Sequence, residues 1–321
     1  MMGRILRVVG IVLLVLLALF LALPFIIPVE EGGTDPRTFA DADGRFIEVD
    51  GIDTYLVEKG DPNAPAVIFI HGLYGSTFVW RNNADAIAEA GFRVILFDRP
   101  GAGLSEKPAD FNYSHANNAD FTAHLLDALG LERAAVIGHS AGGSVAAHFA
   151  ARHPQRLGQL VLVAPALVSG IPPFVGPIVS FPPVYRLGRI GLQRLFTTER
   201  LIEAVRGFHA DPSFLNDADY AGYWRAFQTP GWDVGILGLT RDSSGNRLTD
   251  EQLVNIAAPT LLIWGEADPV TPISQMAQVM QILPISETLT YKGIGHQPME
   301  EHADAFNRDV VTFLRFLSFA R

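Results

Sequence analysis

One serine of this chain lies in a sequence context that suits a nucleophile. Ser140 stands between Gly138 and Gly142, after the apolar residues 134–137 and before the alanine-rich residues 144–151. This order predicts a short strand, a sharp turn and a helix, with the serine at the turn in a sparsely populated backbone conformation. Its hydroxyl would be held above a sheet edge, where the free N–H groups of a helix N-terminus favour developing negative charge.

Two later residues could activate this serine. Asp268 follows the apolar, strand-like residues 260–264, and His296 lies in a glycine loop after the last strand-like segment. A serine needs a neutral imidazole to take its proton, and a carboxylate to fix the imidazole tautomer and stabilise the imidazolium. Since the carboxyl ends of parallel strands meet at one edge, the sequence predicts the catalytic triad Ser140, Asp268 and His296.

Other residues compete for two of these roles. The chain has nine histidines, but only His296 stands in a glycine loop after the final strand-like segment. Glu266, close to Asp268, is the alternative acid, whereas Asp98 follows a different strand-like segment. We therefore assign the acid to Asp268 and keep Glu266 as its alternative.

A second loop could stabilise an oxyanion. The apolar run 66–70 is typical of a central strand buried on both faces, and His71-Gly72-Leu73 follows it directly. Open α/β sheets bind ligands at the carboxyl ends of such strands. We predict that the backbone N–H groups of Leu73 and Ala141 form the oxyanion hole, where one donor is typically worth about 3 kcal/mol.

Composition excludes several classes of site. Without cysteine, the chain has no disulfide, no thiolate metal site and no cysteine nucleophile. No ligand spacing such as H-E-x-x-H occurs, and Gly101-x-Gly103 is followed by Glu106 where a dinucleotide fingerprint has a third small residue. The net charge of −10 argues against nucleic acid as a partner. We therefore expect no metal, no cofactor and no nucleic acid.

The N-terminal region predicts a membrane segment. An uncharged apolar run of 20 residues, 8–27, spans about 30 Å as a helix, the thickness of the hydrocarbon core of a bilayer. A cleaved signal peptide is the alternative, but its apolar region is usually shorter and ends in a small-x-small cleavage site. We predict an uncleaved anchor over residues 1–31 and a polar, turn-rich linker over residues 32–44.

The charges around this run predict its orientation. Arg4 and Arg7 precede it, and Glu30 and Glu31 follow it. The positive-inside rule then leaves the N-terminus in the cytoplasm. We expect a single-pass protein of the cell membrane, with the rest of the chain on the periplasmic or extracellular side.

The remaining chain predicts an α/β fold with an insertion. Strand-like and helix-like segments alternate over residues 45–164 and again over 259–321, which predicts a doubly wound, parallel sheet with helices on both faces. Residues 165–258 interrupt this order with proline-rich and helical pieces, which predicts an inserted helical cap. The aromatic residues predicted to line a substrate pocket are Tyr74, Trp224, Phe227 and Trp232.

The first part of the predicted cap, residues 171–196, is rich in phenylalanine, valine, leucine and proline. One interpretation is the buried underside of a lid. The other is a surface that rests on the membrane and opens a path for lipid-derived esters to Ser140, because a tethered protein loses little by leaving apolar surface against lipid.

The chain from about residue 45 to 317 resembles α/β-hydrolases with a cap domain. The resemblance rests on His71-Gly72, Asp98-Arg99-Pro100-Gly101-Ala102-Gly103-Leu104-Ser105, Gly138-His139-Ser140-Ala141-Gly142-Gly143, Gly265-Glu266-Ala267-Asp268 and Gly295-His296. It implies a mostly parallel, eight-stranded sheet. Haloalkane dehalogenases and epoxide hydrolases have an aspartate nucleophile where this chain has Ser140, which argues against both activities.

Serine members of the family leave several functions open. They include carboxylesterases, monoacylglycerol lipases, C–C hydrolases of ring-cleavage products and cofactor-free haloperoxidases. We predict a membrane-anchored hydrolase of small, apolar carboxylic esters that works through an acyl-enzyme. C–C hydrolysis and haloperoxidation are the enzymatic alternatives. A receptor that holds an apolar ligand under the cap is the non-enzymatic one, which an intact triad and oxyanion loop disfavour.

Overall fold

In a computed structural model, which describes residues 1–168, 170–283 and 286–318, the chain forms one eight-stranded sheet. The strands are β1 (Gly44–Val49), β2 (Ile52–Lys59), β3 (Ala66–Ile70), β4 (Arg93–Phe97), β5 (Ala134–His139), β6 (Leu157–Val163), β7 (Thr260–Gly265) and β8 (Ser286–Tyr291). Their order is β1-β2-β4-β3-β5-β6-β7-β8, and all neighbours from β4 to β8 are parallel. Only β2 pairs antiparallel, with β1 and β4. The predicted mostly parallel sheet is confirmed.

The sequence of β3 explains why helices cover both faces of the sheet. All five residues of this strand are buried, and successive side chains point to opposite faces. Ile68 and Ile70 join the apolar cluster on one face, whereas Val67 and Phe69 join the cluster on the other. A parallel sheet of this kind must be covered on both sides.

Thirteen α-helices lie within the described residues. They are α1 (Met2–Ile26), α2 (Ala84–Glu89), α3 (His115–Ala128), α4 (Ala141–Arg152), α5 (Val175–Ser180), α6 (Pro182–Leu195), α7 (Thr198–Gly207), α8 (Asp217–Trp224), α9 (Trp232–Asp242), α10 (Asp250–Val254), α11 (Ser274–Ile282), α12 (Pro298–Glu301) and α13 (Ala303–Ser318). Helices α3, α4 and α11 pack on one face of the sheet, and α2 and α13 on the other. This is the predicted doubly wound arrangement.

Helices α5 to α9 lie in the segment predicted as a cap and cover the carboxyl edge of the sheet. The Phe208 carbonyl accepts a hydrogen bond from the backbone N–H of His296, after β8, at 2.7 Å. The backbone of Gly235, in α9, lies against Gly101, after β4. By contrast, Leu253 of α10 joins the apolar cluster on a sheet face. Residues 169, 284–285 and 319–321, within the predicted cap and second core ranges, lie outside the described residues.

Helix α1 is long and apolar, and almost all of it is exposed. Its 25 residues correspond to about 37 Å. By length and composition it meets the requirements of a membrane span, which a signal sequence near the N-terminus would also meet.

The end of α1 is docked on the predicted cap. The Arg186 guanidinium donates to the carbonyl oxygens of Pro24 and Ile27, each at 3.3 Å. Arg189 binds both carboxylate oxygens of Glu31 at 2.9 and 3.0 Å, and its Nε donates to Asp233 Oδ2 of α9 at 2.7 Å. The residues at the end of α1 and just after it are therefore bound to α6 and, through Arg189, connected to α9; both helices cover the sheet edge.

Residues 32–44, predicted as a linker, are also bound to the folded chain. The N–H of Thr34 donates to the Gln228 carbonyl at 2.8 Å. Asp41 accepts two hydrogen bonds from the Arg225 guanidinium, at 2.7 and 2.9 Å. The segment between α1 and the sheet is therefore bound to the folded chain through its polar groups.

Candidate active site

The backbone of Ser140 is strained in the way its sequence context predicts. Ser140 connects β5 to α4 with φ 53° and ψ −121°, a region that L-residues rarely occupy. The first turn of α4 passes so close to the end of β3 that a Cβ on Gly142 would collide with the carbonyl oxygens of Ile70 and His71. Glycine is therefore required there, and this close approach holds the serine beside the loop after β3.

Two unpaired N–H groups flank the serine. Within the described residues, neither Leu73 nor Ala141 donates its backbone N–H to a protein acceptor. Ala141 is the first residue of α4, where helices leave their N–H groups without internal partners. A Cβ on Gly72 would lie 3.1 Å from Ser140 Cβ, so the loop that carries Leu73 lies against the serine. This arrangement has the parts of an oxyanion hole.

Asp268 and His296 form a buried hydrogen-bonded pair. Asp268 Oδ2 lies 2.7 Å from His296 Nδ1, and both side chains are buried. Asp268 Oδ1 accepts from the backbone N–H groups of Val270 and Thr271 at 2.7 and 2.9 Å, and its Oδ2 accepts from the Thr271 hydroxyl at 2.7 Å. This network assigns the proton to His296 Nδ1 and leaves Nε2 free to accept one.

The surroundings of Asp268 keep its carboxylate ionised. Burial opposes the ionised form, but hydrogen bonds from His296 and Thr271 outweigh it and lower the pKa of Asp268 below its usual value. An ionised carboxylate is the form that orients an imidazole and stabilises its cation.

His139 supports His296, a contact that the sequence did not predict. The two rings lie 4.7 Å apart between centroids, and His139 Nε2 is 2.9 Å from the His296 carbonyl oxygen. Burial, with His296 next to it, lowers the pKa of His139 to about 3. The neutral ring therefore donates its Nε2–H to that carbonyl and fixes the backbone of the loop that carries His296.

The other acidic candidates are placed elsewhere. Glu266 is exposed and accepts a hydrogen bond from the Thr290 hydroxyl at 3.0 Å. Asp98 is fully buried and accepts from the N–H groups of Thr77 and Leu104 at 2.6 and 2.7 Å. Within the described residues, no group of three or more His, Asp and Glu could hold a metal ion.

Three of the four predicted pocket residues line one small cavity next to the oxyanion loop. Tyr74, Phe227 and Trp232 surround it together with Lys107 and Leu239, and its volume is about 20 Å³. This is room for about one water molecule.

Trp224, the fourth predicted pocket residue, does not line this cavity. Its ring stacks on Phe227 and Phe196, with centroids 6.0 and 6.1 Å apart. Trp224 therefore supports the cavity wall from behind. An aromatic residue in the sequence does not reveal which of its neighbours it will face.

Residues 65–303 match the family model described as alpha/beta hydrolase fold. The match covers most of the chain, which therefore belongs to the α/β-hydrolase family and is a hydrolase.

One curated relative is the 2-hydroxy-6-oxononadienedioate/2-hydroxy-6-oxononatrienedioate hydrolase of Burkholderia vietnamiensis, 32% identical over 78% of this chain and 87% of the relative. A meta-cleavage product hydrolase from Pseudomonas fluorescens IP01 shares the fold with TM-score 0.71 and 24% identity, over 84% of this chain and 97% of its own. A membrane phospholipase A, described as a bacterial virulence factor, shares it with TM-score 0.72 and 23% identity, over 98% of this chain and 99% of its own.

Replacing Asp268 should abolish most activity, whereas the same change at Glu266 should not. In Asp268→Asn the amide would donate to His296 Nδ1 and move the imidazole proton to Nε2, so the ring could not accept the serine proton. We expect kcat for a p-nitrophenyl ester to fall by about 10³- to 10⁴-fold. Glu266→Gln should change kcat by less than about twofold, because this side chain is exposed. Equal losses in both variants would show that the acid is misassigned.

Proposed function

We propose that this hydrolase cleaves carboxylic esters through an acyl-enzyme on Ser140. The observation that carries the proposal is the Asp268–His296 hydrogen bond of 2.7 Å, which leaves His296 Nε2 as a base. Ser140 Oγ attacks the ester carbonyl carbon while its proton passes to Nε2. The N–H groups of Leu73 and Ala141 bind the oxyanion, and the imidazolium protonates the leaving alcohol. Water then attacks the acyl-enzyme by the same route and releases the acid.

The cavity lining favours an uncharged acyl chain. Phe227, Trp232 and Leu239 give it apolar walls. Lys107 is the cation among its lining residues, and its ammonium group already donates to the carbonyl oxygens of Gly103 and Ser105 at 3.0 and 2.6 Å. Burial of an alkyl chain against such a wall stabilises the complex by roughly 25 cal/mol per Å² of apolar surface buried.

The position of α1 favours a lipid-derived ester. Phe174, Ile178 and Phe181, in or next to α5, are exposed to 65%, 51% and 44%. The Phe181 ring stacks on Phe20 of α1 at 6.4 Å between centroids. A bilayer crossed by α1 would therefore meet this apolar surface, which we call the lid surface. Contact with lipid would bury hydrocarbon that is otherwise exposed to water.

The proposed location follows from the same helix. We infer that α1 remains attached and crosses the cell membrane once. Arg4 and Arg7 favour a cytoplasmic N-terminus, which leaves the catalytic domain on the outer side.

C–C bond hydrolysis is a second candidate, favoured by one specific finding. The relative from Burkholderia vietnamiensis is named for dienedioate and trienedioate substrates, which carry carboxylates. Lys107 would then exchange its hydrogen bonds to the Gly103 and Ser105 carbonyls for an ion pair with a substrate carboxylate. This reaction would use the same serine, histidine and aspartate.

A substrate panel with matched serine variants tests the proposal. The panel contains p-nitrophenyl esters of graded chain length, a monoacylglycerol and a ring-cleavage dienoate. We expect esters to be the better substrates and Ser140→Ala to lower their turnover by about 10⁴- to 10⁶-fold. Ser144→Ala is the control, because this hydroxyl of the same helix donates only to the Ala166 carbonyl, at 2.8 Å.

Two outcomes would contradict the ester proposal. Near-normal turnover in folded Ser140→Ala would show that the nucleophile is another group. A dienoate activity above the ester activity, lost in Lys107→Met, would establish C–C hydrolysis instead.

The lid surface can be tested separately with a truncated protein that begins at Pro28. This start removes α1 but keeps Glu30 and Glu31, which bind Gln193 and Arg189. Replacing both Phe174 and Phe181 with serine should weaken binding to phospholipid vesicles and slow hydrolysis of a micellar monoacylglycerol. A short, soluble ester should be hydrolysed as before, because the site itself is unchanged.

The control for the lid surface removes apolar groups of similar exposure elsewhere. Val254 and Met280, on α10 and α11, are exposed to 49% and 43%. Replacing both with serine should leave vesicle binding unchanged. An equal loss on micellar and soluble substrates in the Phe174/Phe181 variant would mean that the stretch serves packing and that the lipid-access proposal is wrong.

A further inference from the structure

The carbonyl oxygen of Gly72 is held by three donors below the oxyanion loop. His71 Nδ1 lies 2.8 Å from it, Arg99 Nη2 donates at 3.1 Å and the Gly75 N–H donates at 3.3 Å. A carbonyl oxygen has two lone pairs, so three donors leave it little freedom to turn. The orientation of the peptide between Gly72 and Leu73 is therefore fixed from one side.

This peptide carries the Leu73 N–H. The chain has no cis peptide bond within the described residues, and the C=O and N–H of a trans peptide point in opposite directions. Since the Gly72 oxygen points toward Arg99 and His71, the Leu73 N–H points away from them. Gly72 Cα belongs to the same planar unit, and a Cβ attached to it would lie 3.1 Å from Ser140 Cβ.

We propose that Arg99 and His71 are positioning residues for the oxyanion hole, which aim the Leu73 N–H at the reacting carbonyl and strengthen it as a donor. The proposal rests on the ester hydrolysis at Ser140 proposed above. It assigns a role to Arg99, which lies in the loop after β4 and whose guanidinium donates to the Gly72 carbonyl.

The charge of Arg99 is buried and directed at this one acceptor. Arg99 is 1% exposed, and its Nε and Nη1 have no protein partner within the described residues. Burial, opposed by the neighbouring Asp98, lowers the pKa of Arg99 to about 10, so the guanidinium remains a cation at neutral pH. A cation at the oxygen end polarises the peptide and makes its N–H a stronger donor.

His71 is held in the tautomer that this arrangement needs. The backbone N–H of Arg99 donates to His71 Nε2 at 3.1 Å, so the imidazole proton resides on Nδ1 and is directed at the Gly72 oxygen. Complete burial, together with the Arg99 cation, keeps the pKa of His71 well below its usual value. His71 therefore stays neutral through the pH range in which a serine hydrolase works.

The expected effect falls on the transition state. The ester carbonyl is neutral in the ground state and gains full negative charge as the serine attacks, so an aimed and polarised donor contributes mainly after binding. A residue that only filled space would change stability or the fraction of active protein instead.

The test compares Arg99→Met with Arg99→Lys in the full-length protein, using p-nitrophenyl butyrate and counting active sites with a fluorophosphonate. Per active site, we expect kcat to fall by about 10- to 100-fold in Arg99→Met, with KM changed by less than about threefold. Arg99→Lys, which keeps the cation, should recover part of the loss. The Ki of a trifluoromethyl ketone, which forms an oxyanion on Ser140, should rise in proportion to the loss of kcat/KM.

His71 provides an independent pair if Arg99→Met does not fold. Asparagine can place an amide N–H near the position of Nδ1, whereas leucine cannot. His71→Asn should therefore retain more of kcat than His71→Leu at similar KM. Unchanged kcat per active site, or a ketone Ki that does not follow kcat/KM, would overturn the proposal. Its failure differs from that of the ester mechanism, in which wild-type protein would lack ester turnover or Ser140→Ala would retain it.

Discussion

The site depends on the parallel alignment of β3, β5, β7 and β8, whose carboxyl ends meet at one edge of the sheet. Ser140, Asp268 and His296 are separated by long stretches of sequence, yet each directly follows a strand or lies in the loop after one. The strained turn at Ser140 is tolerated because α4 packs against the backbone after β3. That contact also brings the loop after β3 to the serine, so one packing constraint positions both the proposed nucleophile and its proposed N–H donors.

The covering helices connect this edge to the N-terminal helix. Arg189 of α6 binds Glu31, just after α1, and Asp233 of α9. Trp232, next to Asp233, lines the small cavity beside the oxyanion loop. These contacts connect the residues that follow α1 to a wall of the cavity.

Much of this architecture could be predicted from the sequence, because it depends on local patterns. Buried strands are visible in the sequence as runs of apolar residues. A serine between glycines after such a run predicts the turn observed at Ser140. The contacts that complete the site join distant residues and leave no local pattern. His139 directly precedes Ser140, and only the folded chain brings its ring to His296. Polar composition predicts exposure for residues 32–44, but it does not identify Arg225 and Gln228 as their partners.

The hydrogen bond from Arg99 to the Gly72 carbonyl could not be predicted from the sequence either. It joins the loops that follow two neighbouring strands, β3 and β4. In the sequence, Arg99 stands out only as part of a motif that resembles α/β-hydrolases. The sequence could not predict that this buried guanidinium would donate to the Gly72 carbonyl, in the peptide that carries the proposed Leu73 donor.

The central claim is that Ser140 forms a covalent acyl-enzyme. It is tested most directly by acid-quenching the protein during turnover of a hindered ester, p-nitrophenyl trimethylacetate, and mapping the acyl group by peptide mass spectrometry. The account predicts one trimethylacetyl group on the peptide that contains Ser140, formed as p-nitrophenol is released and absent in Ser140→Ala. Ester turnover with no adduct on this peptide, or with the adduct on another residue, would contradict it.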